Sequence, residues 1–273
     1  MLINEYLSPV EAWIVTATVL GATFLVLTAS GVFVGWAARA LPEGADRRGL
    51  LIVPTLLVLW ATVAVTMSAM GPLKFEWFLP FALFPILAGT ALSFAGPVTS
   101  LLRQTPTQWM IGLQTYRAAG AIFLFPMYTS GALTAGFAYP AAIGDVITGL
   151  AAPYVAWRVA RDPVGARGIF LAWTLFGVAD LIVAPLSAQL WGFGAEGREM
   201  TFAITAIPLF LGPPFGILIH ILTWRSYSLR HPAPGPQAAH PAQGRRAAPS
   251  PSARSSPRRE LRPLAPKSRK SVV

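Results

Sequence analysis

The chain contains no cysteine, which excludes disulfide bonds, thiolate catalysis, iron–sulfur clusters and cysteine-containing zinc sites. Charged residues are also scarce, at 12%, whereas soluble domains carry about 25%. Lysine occurs only at Lys74, Lys267 and Lys270, outside every long apolar run, so a retinal Schiff base within a membrane is excluded. Hydrophobic residues make up 54% of the 273 residues. This composition is typical of an integral membrane protein.

Seven apolar runs reach about 20 residues, the length that an α-helix needs to cross the roughly 30 Å of hydrocarbon in a bilayer. They cover residues 12–37, 49–71, 78–102, 108–130, 137–158, 168–190 and 201–224. The sequence therefore predicts an all-α helical bundle of about seven transmembrane helices, which forms one domain over residues 1–225.

Basic residues alternate between the loops that join these runs. The odd-numbered loops carry Arg39, Arg47, Arg48, Arg103, Arg158, Arg161 and Arg167. The second loop holds only Lys74, the fourth has no basic residue, and in the sixth Arg198 lies between two glutamates. Because cytoplasmic loops accumulate Lys and Arg, the N-terminus is predicted outside and the C-terminus in the cytoplasm. We expect a multi-pass protein in the lipid bilayer of a bacterial plasma (inner) membrane.

The composition changes at about Ser226, where Pro, Ala, Ser and Arg replace the apolar periodicity. From Arg225 onward nine Arg and two Lys stand against Glu260, so this end holds the whole net charge of +10. Residues 226–273 are predicted to be a disordered cytoplasmic tail. The tail either contacts anionic lipid, at about 1 kcal/mol per basic residue, or is a solvated segment that reinforces the topology. No specific nucleic acid is expected as a partner, and protein partners stay open.

Three charged residues fall inside consecutive apolar runs. With about 1.5 Å of rise per residue, Arg117 lies about 13 Å, and Asp145 and Asp180 about 18 Å, above the predicted cytoplasmic edge. A lone charge at the bilayer centre costs about 2.5–3.5 kcal/mol on insertion scales, and no other carboxylate is available at this depth. We therefore predict that Arg117 pairs with both aspartates, with Gln114 one turn below on the same face and Tyr116 beside it.

Two acids against one base leave this cluster with a negative charge if all three residues are ionised. One aspartate is then expected to hold a proton, bind a cation or lie beside water. Intramembrane charges commonly bind substrates, ions or protons, so Arg117, Asp145, Asp180, Gln114 and Tyr116 are candidates for binding a small molecule, an ion or a proton. The alternative is a structural clamp that fixes how three helices pack. We predict no catalytic residue, metal site or cofactor.

The seventh run contains the sequence LGPPFGILIH. Gly212, Pro213, Pro214 and Gly216 remove two amide donors and weaken a helix within one turn. They are candidates for a broken helix, or hinge, which in transporters exposes backbone carbonyls to a buried cavity; a simple proline kink is the alternative. His220 is a secondary candidate, expected as a satisfied histidine near the helix end, about 6–8 Å from the inner edge.

Three segments, QTYRAAGAIFL, FAYPAAIGDVITGLAA and AWTLFGVADLIVA, together resemble an uncharacterised family of bacterial multi-pass, seven-helix membrane proteins. The resemblance covers about residues 110–224. That family has no established activity, so the resemblance implies the topology and singles out the polar residues without implying a reaction.

A second, partial resemblance is to intramembrane aspartyl proteases, in which a Gly-x-Gly-Asp motif and an Asp on a neighbouring helix activate water. Here Gly144 precedes Asp145, and Asp180 lies on the next run. Ala142 replaces the first glycine, the Gly-Asp helix comes first rather than second, and the Pro-Ala-Leu element is missing. Arg117 also favours ionised carboxylates, whereas a shared-proton dyad needs one that is protonated.

Three classes of function follow from these observations. A small-solute or ion/proton-coupled transporter explains both the buried charges and the weakened seventh helix, and the sequence favours it. A non-catalytic interaction, assembly or sensory subunit, with the charges as a clamp, explains the lack of a catalytic motif and the basic tail. An intramembrane enzyme is the class that the sequence favours least.

Overall fold

The computed structural model describes residues 7–44, 47–69, 75–192 and 211–232. Every regular element in these ranges is a helix, which confirms the predicted all-α class. The α-helices are α1 (Pro9–Ala40), α2 (Arg48–Ala69), α3 (Phe75–Leu92), α4 (Gly96–Gln104), α5 (Thr107–Leu113), α6 (Ala135–Arg161), α7 (Arg167–Trp191) and α8 (Pro213–Arg230). Between α5 and α6 the chain forms a 3₁₀-helix (Gln114–Phe123) and a short π-helix (Leu124–Tyr128).

α1 begins with a complete capping box. The Ser8 hydroxyl accepts a hydrogen bond from the N–H of Glu11 at 3.3 Å, and the Glu11 carboxylate accepts one from the N–H of Ser8 at 2.7 Å. Pro9 occupies the first turn, where its missing N–H would have no helical partner. The helix then continues for 32 residues, about 48 Å, which is more than the hydrocarbon thickness of a bilayer.

Within the described ranges, α1, α6 and α7 are long and apolar enough to cross a membrane. A fourth crossing is possible where Pro80–Leu92 meets Gly96–Gln104 at a bend of 85°. Large apolar side chains on these helices face outward, as Phe24 on α1 does with 72% exposure. The chain therefore carries membrane-type helices, while the count of seven and the orientation stay predictions.

The predicted fourth run is wound in an unusual way. Its start lies in α5 (Thr107–Leu113), and the next ten residues form the 3₁₀-helix, although 3₁₀ runs longer than three or four residues are uncommon. Phe125, inside the π-helix, then leaves helical geometry with φ −128° and ψ 113°. The predicted single span of residues 108–130 is thus three helical segments of different winding.

α8 continues beyond the predicted end of the membrane domain at residue 225, because Arg225 and Arg230 both find partners on the neighbouring helices. Arg225 donates to the Ser93 carbonyl at 2.9 Å, at the bend between α3 and α4. Arg230 donates to the Arg103 carbonyl at 3.1 Å, near the end of α4. These two arginines, which the sequence assigned to the tail's charge, lie in α8; residues 233–273 lie outside the described residues, so the predicted disorder of the tail is untested.

α6 is the central helix of the site region. It packs most extensively against the 3₁₀-helix on one side and α7 on the other. Its buried residues are mostly small, including Ala138, Ala142, Gly144 and Gly149, and small residues let neighbouring helix backbones approach closely. This packing brings polar side chains from four helical segments to one interior position.

Candidate functional site

Arg117 lies at the centre of a buried polar cluster, with 2% of its surface exposed. Its Nε donates to Asp145 Oδ1 on α6 at 2.6 Å, and its Nη2 donates to Asp180 Oδ2 on α7. Its Nη1 donates to the carbonyl of Gly177 at 3.1 Å. The predicted pairing of Arg117 with both aspartates is therefore confirmed. All three guanidinium nitrogens have acceptors, and a side chain with five donors and no acceptor needs them when buried.

The 3₁₀ winding explains how Arg117 reaches the cluster. A 3₁₀-helix has three residues per turn, so side chains three positions apart stack in a straight row. Gln114, Arg117, Gly120 and Phe123 form such a row, and all four are buried. An α-helix of 3.6 residues per turn would rotate this row steadily away from α6. The winding therefore keeps one continuous face of the segment against its neighbours.

Three glycines make room for the polar side chains. A Cβ on Gly144 would collide with the Asp180 carboxylate, and one on Gly120 would collide with Asp145. A Cβ on Gly177 would lie 2.5 Å from His220 Nε2 and 3.1 Å from Arg117 Nη1. Each polar group thus occupies the space that a larger residue on the facing helix would fill. Gly120 and Gly177, each three residues from a buried charge in the sequence, were missed as site residues, and that spacing was the available signal.

His220 does not lie where the sequence predicts. It is 1% exposed, ten residues before the end of α8, and its Nε2 is 3.4 Å from Arg117 Nη1. The expectation of a satisfied histidine at a helix end is wrong, because α8 extends well past residue 224. Its other nitrogen, Nδ1, finds no hydrogen-bond partner in the part of the chain that the structure describes. His220 is therefore a direct neighbour of the charged cluster.

Gln114 and Tyr116 are buried beside the cluster but bond to α8 and to the residue just before its N-cap, instead of to the charges. Gln114 Nε2 donates to the Gly216 carbonyl at 3.3 Å, and the Tyr116 hydroxyl donates to the Leu211 carbonyl at 2.5 Å. The charged and carbonyl partners of Arg117 thus lie on α6 and α7. Gln114 and Tyr116 instead donate hydrogen bonds to backbone carbonyls at the start of α8. The predicted shared face exists, but its members contact different partners.

The Gly-Pro-Pro sequence begins a helix. Gly212 is the N-cap of α8 with φ −76° and ψ −129°, and Pro213 and Pro214 occupy its first turn. Proline is tolerated there because the first N–H groups of a helix have no internal partner. Residues 201–210 lie outside the described residues, so a helix interrupted at this point stays a prediction. Gly216 contributes its carbonyl to Gln114.

A small cavity of about 30 Å³ opens beside Asp145. Thr18 of α1, Tyr116, Arg117 and Leu211 are among the residues that line it. Space of about 10–15 Å³ is enough for one water molecule, so the cavity can hold one or two waters or a small cation. The Asp145 side chain is 18% exposed, compared with 7% for Asp180. Asp145 is therefore the accessible carboxylate of the cluster, and Asp180 is the enclosed one.

Comparison with known proteins places this region within a family. A stretch of 172 residues, 59% of the chain, is 27% identical to the ferric enterobactin transport system permease protein FepG of Escherichia coli (strain K12), and covers 51% of that protein. The chain thus spans about half the length of this curated relative. No solved structure matches the chain significantly. A family model matches residues 74–226, which contain Arg117, Asp145, Asp180 and His220. The chain therefore belongs to the family described as Domain of unknown function (DUF8737).

Proposed function

We propose that this protein is a seven-span membrane transporter, with its N-terminus outside and its C-terminus in the cytoplasm, that couples small-solute movement to a proton or small cation bound at Asp145. In this proposal residues 1–225 span the bacterial inner membrane and the basic tail contacts anionic lipid. The membrane-type helices and the partial likeness to a transport permease support the general class. The chemistry around Asp145 supports the coupling.

The observation that carries the proposal is the unequal use of the two oxygens of Asp145. Oδ1 accepts from Arg117 Nε, while no hydrogen bond to Oδ2 is found among the described residues. Oδ2 would lie 2.8 Å from a Cβ on Gly120, at the wall of the small cavity. A carboxylate oxygen without a protein donor, next to space for water, can accept a proton or coordinate a hard cation. Binding and release of a proton or cation at Oδ2 leaves the pairing of Arg117 with Asp180 in place.

The start of α8 favours a cation over an anion at this cavity. Helix N-termini bind anions through their free N–H groups, but Pro213 and Pro214 remove two of these donors. The Gly216 N–H is already bonded to the Gly212 carbonyl at 2.8 Å. The polar surface offered near Leu211 and Gly212 is thus poor in donors. The cavity volume further favours a proton or a small cation over a larger solute at Asp145.

Proton movement into vesicles tests the coupling. Purified protein is reconstituted in liposomes that contain the pH dye pyranine, and a potassium diffusion potential drives inward current; a sodium-sensitive dye serves in a parallel set. We expect wild type to admit one of the two cations and Asp145→Asn to abolish that flux. Asp162→Asn is the matched control, because the exposed Asp162 accepts from the Gly165 N–H and asparagine can do the same. Equal flux in wild type and Asp145→Asn would refute the proposal.

The absence of cysteine makes the topology directly testable. Single cysteines placed at Thr129 and Gly165 lie in segments that are predicted on opposite sides of the membrane. A membrane-impermeant maleimide added to intact spheroplasts should label the first position and should reach the second only after lysis. The reverse pattern would overturn the predicted orientation, and labelling of both positions in intact spheroplasts would overturn the predicted crossing between them.

A structural clamp is the second candidate, because Arg117 is fully enclosed and each of its guanidinium nitrogens has an acceptor. Under this alternative the protein is an interaction, assembly or sensory subunit, and the cluster fixes the packing of α6, α7 and the 3₁₀-helix. Asp145→Asn would then lower stability as much as Asp180→Asn does. Wild type itself would show no ion flux in the liposome experiment. A protein partner that co-purifies from membranes would favour this alternative.

A further inference from the structure

Three polar side-chain atoms on the segments around Arg117 are fully enclosed. Gln114 Oε1, Thr148 Oγ1 and His220 Nδ1 have no hydrogen-bond partner in the described ranges. Their residues are 0%, 0% and 1% exposed. Buried polar side-chain atoms are ordinarily paired with protein or ordered water. Three such atoms lie on three different helical segments. Each of them either binds a ligand or lowers the stability of the fold by remaining buried without a hydrogen bond.

Contacts through Trp173 and Gly216 bring the residues that carry these atoms into one layer. The Trp173 Nε1 donates to the Thr148 carbonyl at 3.0 Å, and its ring centre is 4.7 Å from that of His220. Gln114 bonds to the carbonyl of Gly216, one helical turn before His220. We call the set Gln114, Thr148, Trp173 and His220 the inner polar layer. It has one member on each of the 3₁₀-helix, α6, α7 and α8.

The chain directions place this whole layer on one side of the charged cluster. Gln114 precedes Arg117, and Thr148 follows Asp145 on the segment that runs the opposite way. Trp173 precedes Asp180 on the next antiparallel helix. Three consecutive segments therefore displace their polar residues toward the same end of the bundle, the end at which α6 finishes with Arg158 and Arg161.

Hydrogen-bond chemistry defines what this layer can bind. Arg117 has donors only, so His220 Nε2, 3.4 Å from Arg117 Nη1, must be the acceptor nitrogen of a neutral ring. Nδ1 of that tautomer carries the proton and is an unpartnered donor. Gln114 Oε1 is an unpartnered acceptor, and the Thr148 hydroxyl can do both. A donor, an acceptor and a hydroxyl match a water molecule, which makes two to four hydrogen bonds in buried sites.

Charge excludes the other small ligands. The inner polar layer contains no carboxylate, and the charged group that contacts it is the Arg117 guanidinium, so it offers a cation no anionic ligand. An anion would face the Gln114 oxygen and the neutral His220 ring, and Arg117 has already committed its nitrogens to Asp145, Asp180 and Gly177. A neutral hydrogen-bonding molecule of the size of water is the remaining class.

We infer that the inner polar layer is a buried water-binding site on the opposite side of Arg117 from the Asp145 cavity. Bound water donates to Gln114 Oε1, accepts from His220 Nδ1–H and reaches the Thr148 hydroxyl. With the cavity, the site gives the bundle polar, hydrated positions on both sides of one arginine. The inference does not rest on ion coupling at Asp145, since the layer's geometry alone carries it.

Water-edited solid-state NMR of ¹⁵N-histidine-labelled protein in liposomes tests the site. The double variant His231→Asn/His240→Asn leaves His220 as the only histidine, so its ring signals need no further assignment. We expect a neutral ring protonated at Nδ1, with magnetisation transfer from water to that proton. A ring protonated at Nε2, or a Nδ1 proton without water transfer, would overturn the inference.

Thr148→Val in the same background adds an independent measurement. Removing the hydroxyl of a hydrated layer should lower the thermal unfolding temperature and weaken the water transfer to His220. If the hydroxyl is dry and unpaired, valine relieves its burial and raises the unfolding temperature, which contradicts the inference. Intact water transfer in a destabilised variant also contradicts it. Thr62→Val on α2 is the control, because Thr62 Oγ1 bonds to the Val58 carbonyl of its own turn, at an exposed position away from the layer.

These measurements require no transport. Failure of the flux experiment on Asp145 would leave the His220 spectra interpretable, and a dry His220 would leave the flux experiment unaffected. The two proposals can therefore fail separately.

Discussion

Asp145 and Asp180 lie on neighbouring helices and accept hydrogen bonds from different nitrogens of one guanidinium, that of Arg117. The two carboxylates are not equivalent, since the side chain of Asp145 is more than twice as exposed as that of Asp180. One arginine thus holds an enclosed acid and an accessible acid at the same time. This asymmetry gives the cluster its most direct experimental test.

Arg117→Gln should lower the free energy of unfolding by about 3–5 kcal/mol, because it leaves a buried carboxylate without its cation. Thermal unfolding in detergent measures the change. Arg161→Gln is the control, since Arg161 is exposed and lies 4.6 Å over the ring of Trp157, a contact worth at most about 1 kcal/mol. Similar losses in both variants would mean that the cluster contributes no more than a surface cation.

Asp180→Asn should cost more stability than Asp145→Asn. The enclosed Asp180 loses a charge-assisted hydrogen bond worth about 1.5–3 kcal/mol, whereas Asp145 lies beside a cavity with space for water that can replace part of the bond it loses. We expect a loss below about 1 kcal/mol for Asp145→Asn. Denaturant unfolding of both variants in the same detergent gives the comparison. Equal losses would support the clamp.

Gly177→Ala should destabilise the protein by about 1–3 kcal/mol, as overpacking of a filled interior does. Its Cβ would meet His220 Nε2 and Arg117 Nη1. Gly168→Ala on the same helix is the matched control, because its Cβ would meet nothing within 4 Å and alanine favours a helix over glycine by up to about 1 kcal/mol. Thermal unfolding should therefore move in opposite directions for the two variants. A shift in the same direction would contradict the close approach of α7, α8 and Arg117.

Tyr116→Phe removes the hydrogen bond that holds the Leu211 carbonyl before α8. The expected loss is about 0.5–1.5 kcal/mol, with a further contribution if the carbonyl is left unpaired. Faster hydrogen exchange of the amides around Phe215, measured by mass spectrometry, should accompany it. Tyr154→Phe is the control, because Tyr154 is 53% exposed on α6. No change in exchange near Phe215 would show that Tyr116 does not anchor α8.

Sequence reasoning identified the charged cluster because a single principle governs it. An arginine in an apolar run needs a carboxylate, and only Asp145 and Asp180 lay at a matching depth. It misplaced His220 because the end of α8 depends on Arg225 and Arg230, whose carbonyl partners on other helices have no local sequence signal.

The 3₁₀ winding of residues 114–123 also could not be predicted from the sequence. Local propensities barely distinguish a 3₁₀-helix from an α-helix, and the choice here follows from packing against α6. The roles of Gly120 and Gly177 depend on that packing, since a glycine becomes informative only when the side chain opposite it is known. Contacts between segments, rather than composition, therefore decided the parts of the site that were missed.

The 3₁₀ winding also changes how far a given number of residues reaches. At about 2.0 Å per residue, Gln114–Phe123 extends about 20 Å, and α5 adds about 10 Å at 1.5 Å per residue. Seventeen residues from Thr107 to Phe123 thus cover about 30 Å, the hydrocarbon thickness of a bilayer. Such a segment has no length to spare: deleting one residue after Arg117 would shorten it and turn Gly120 away from Asp145 by about a third of a revolution.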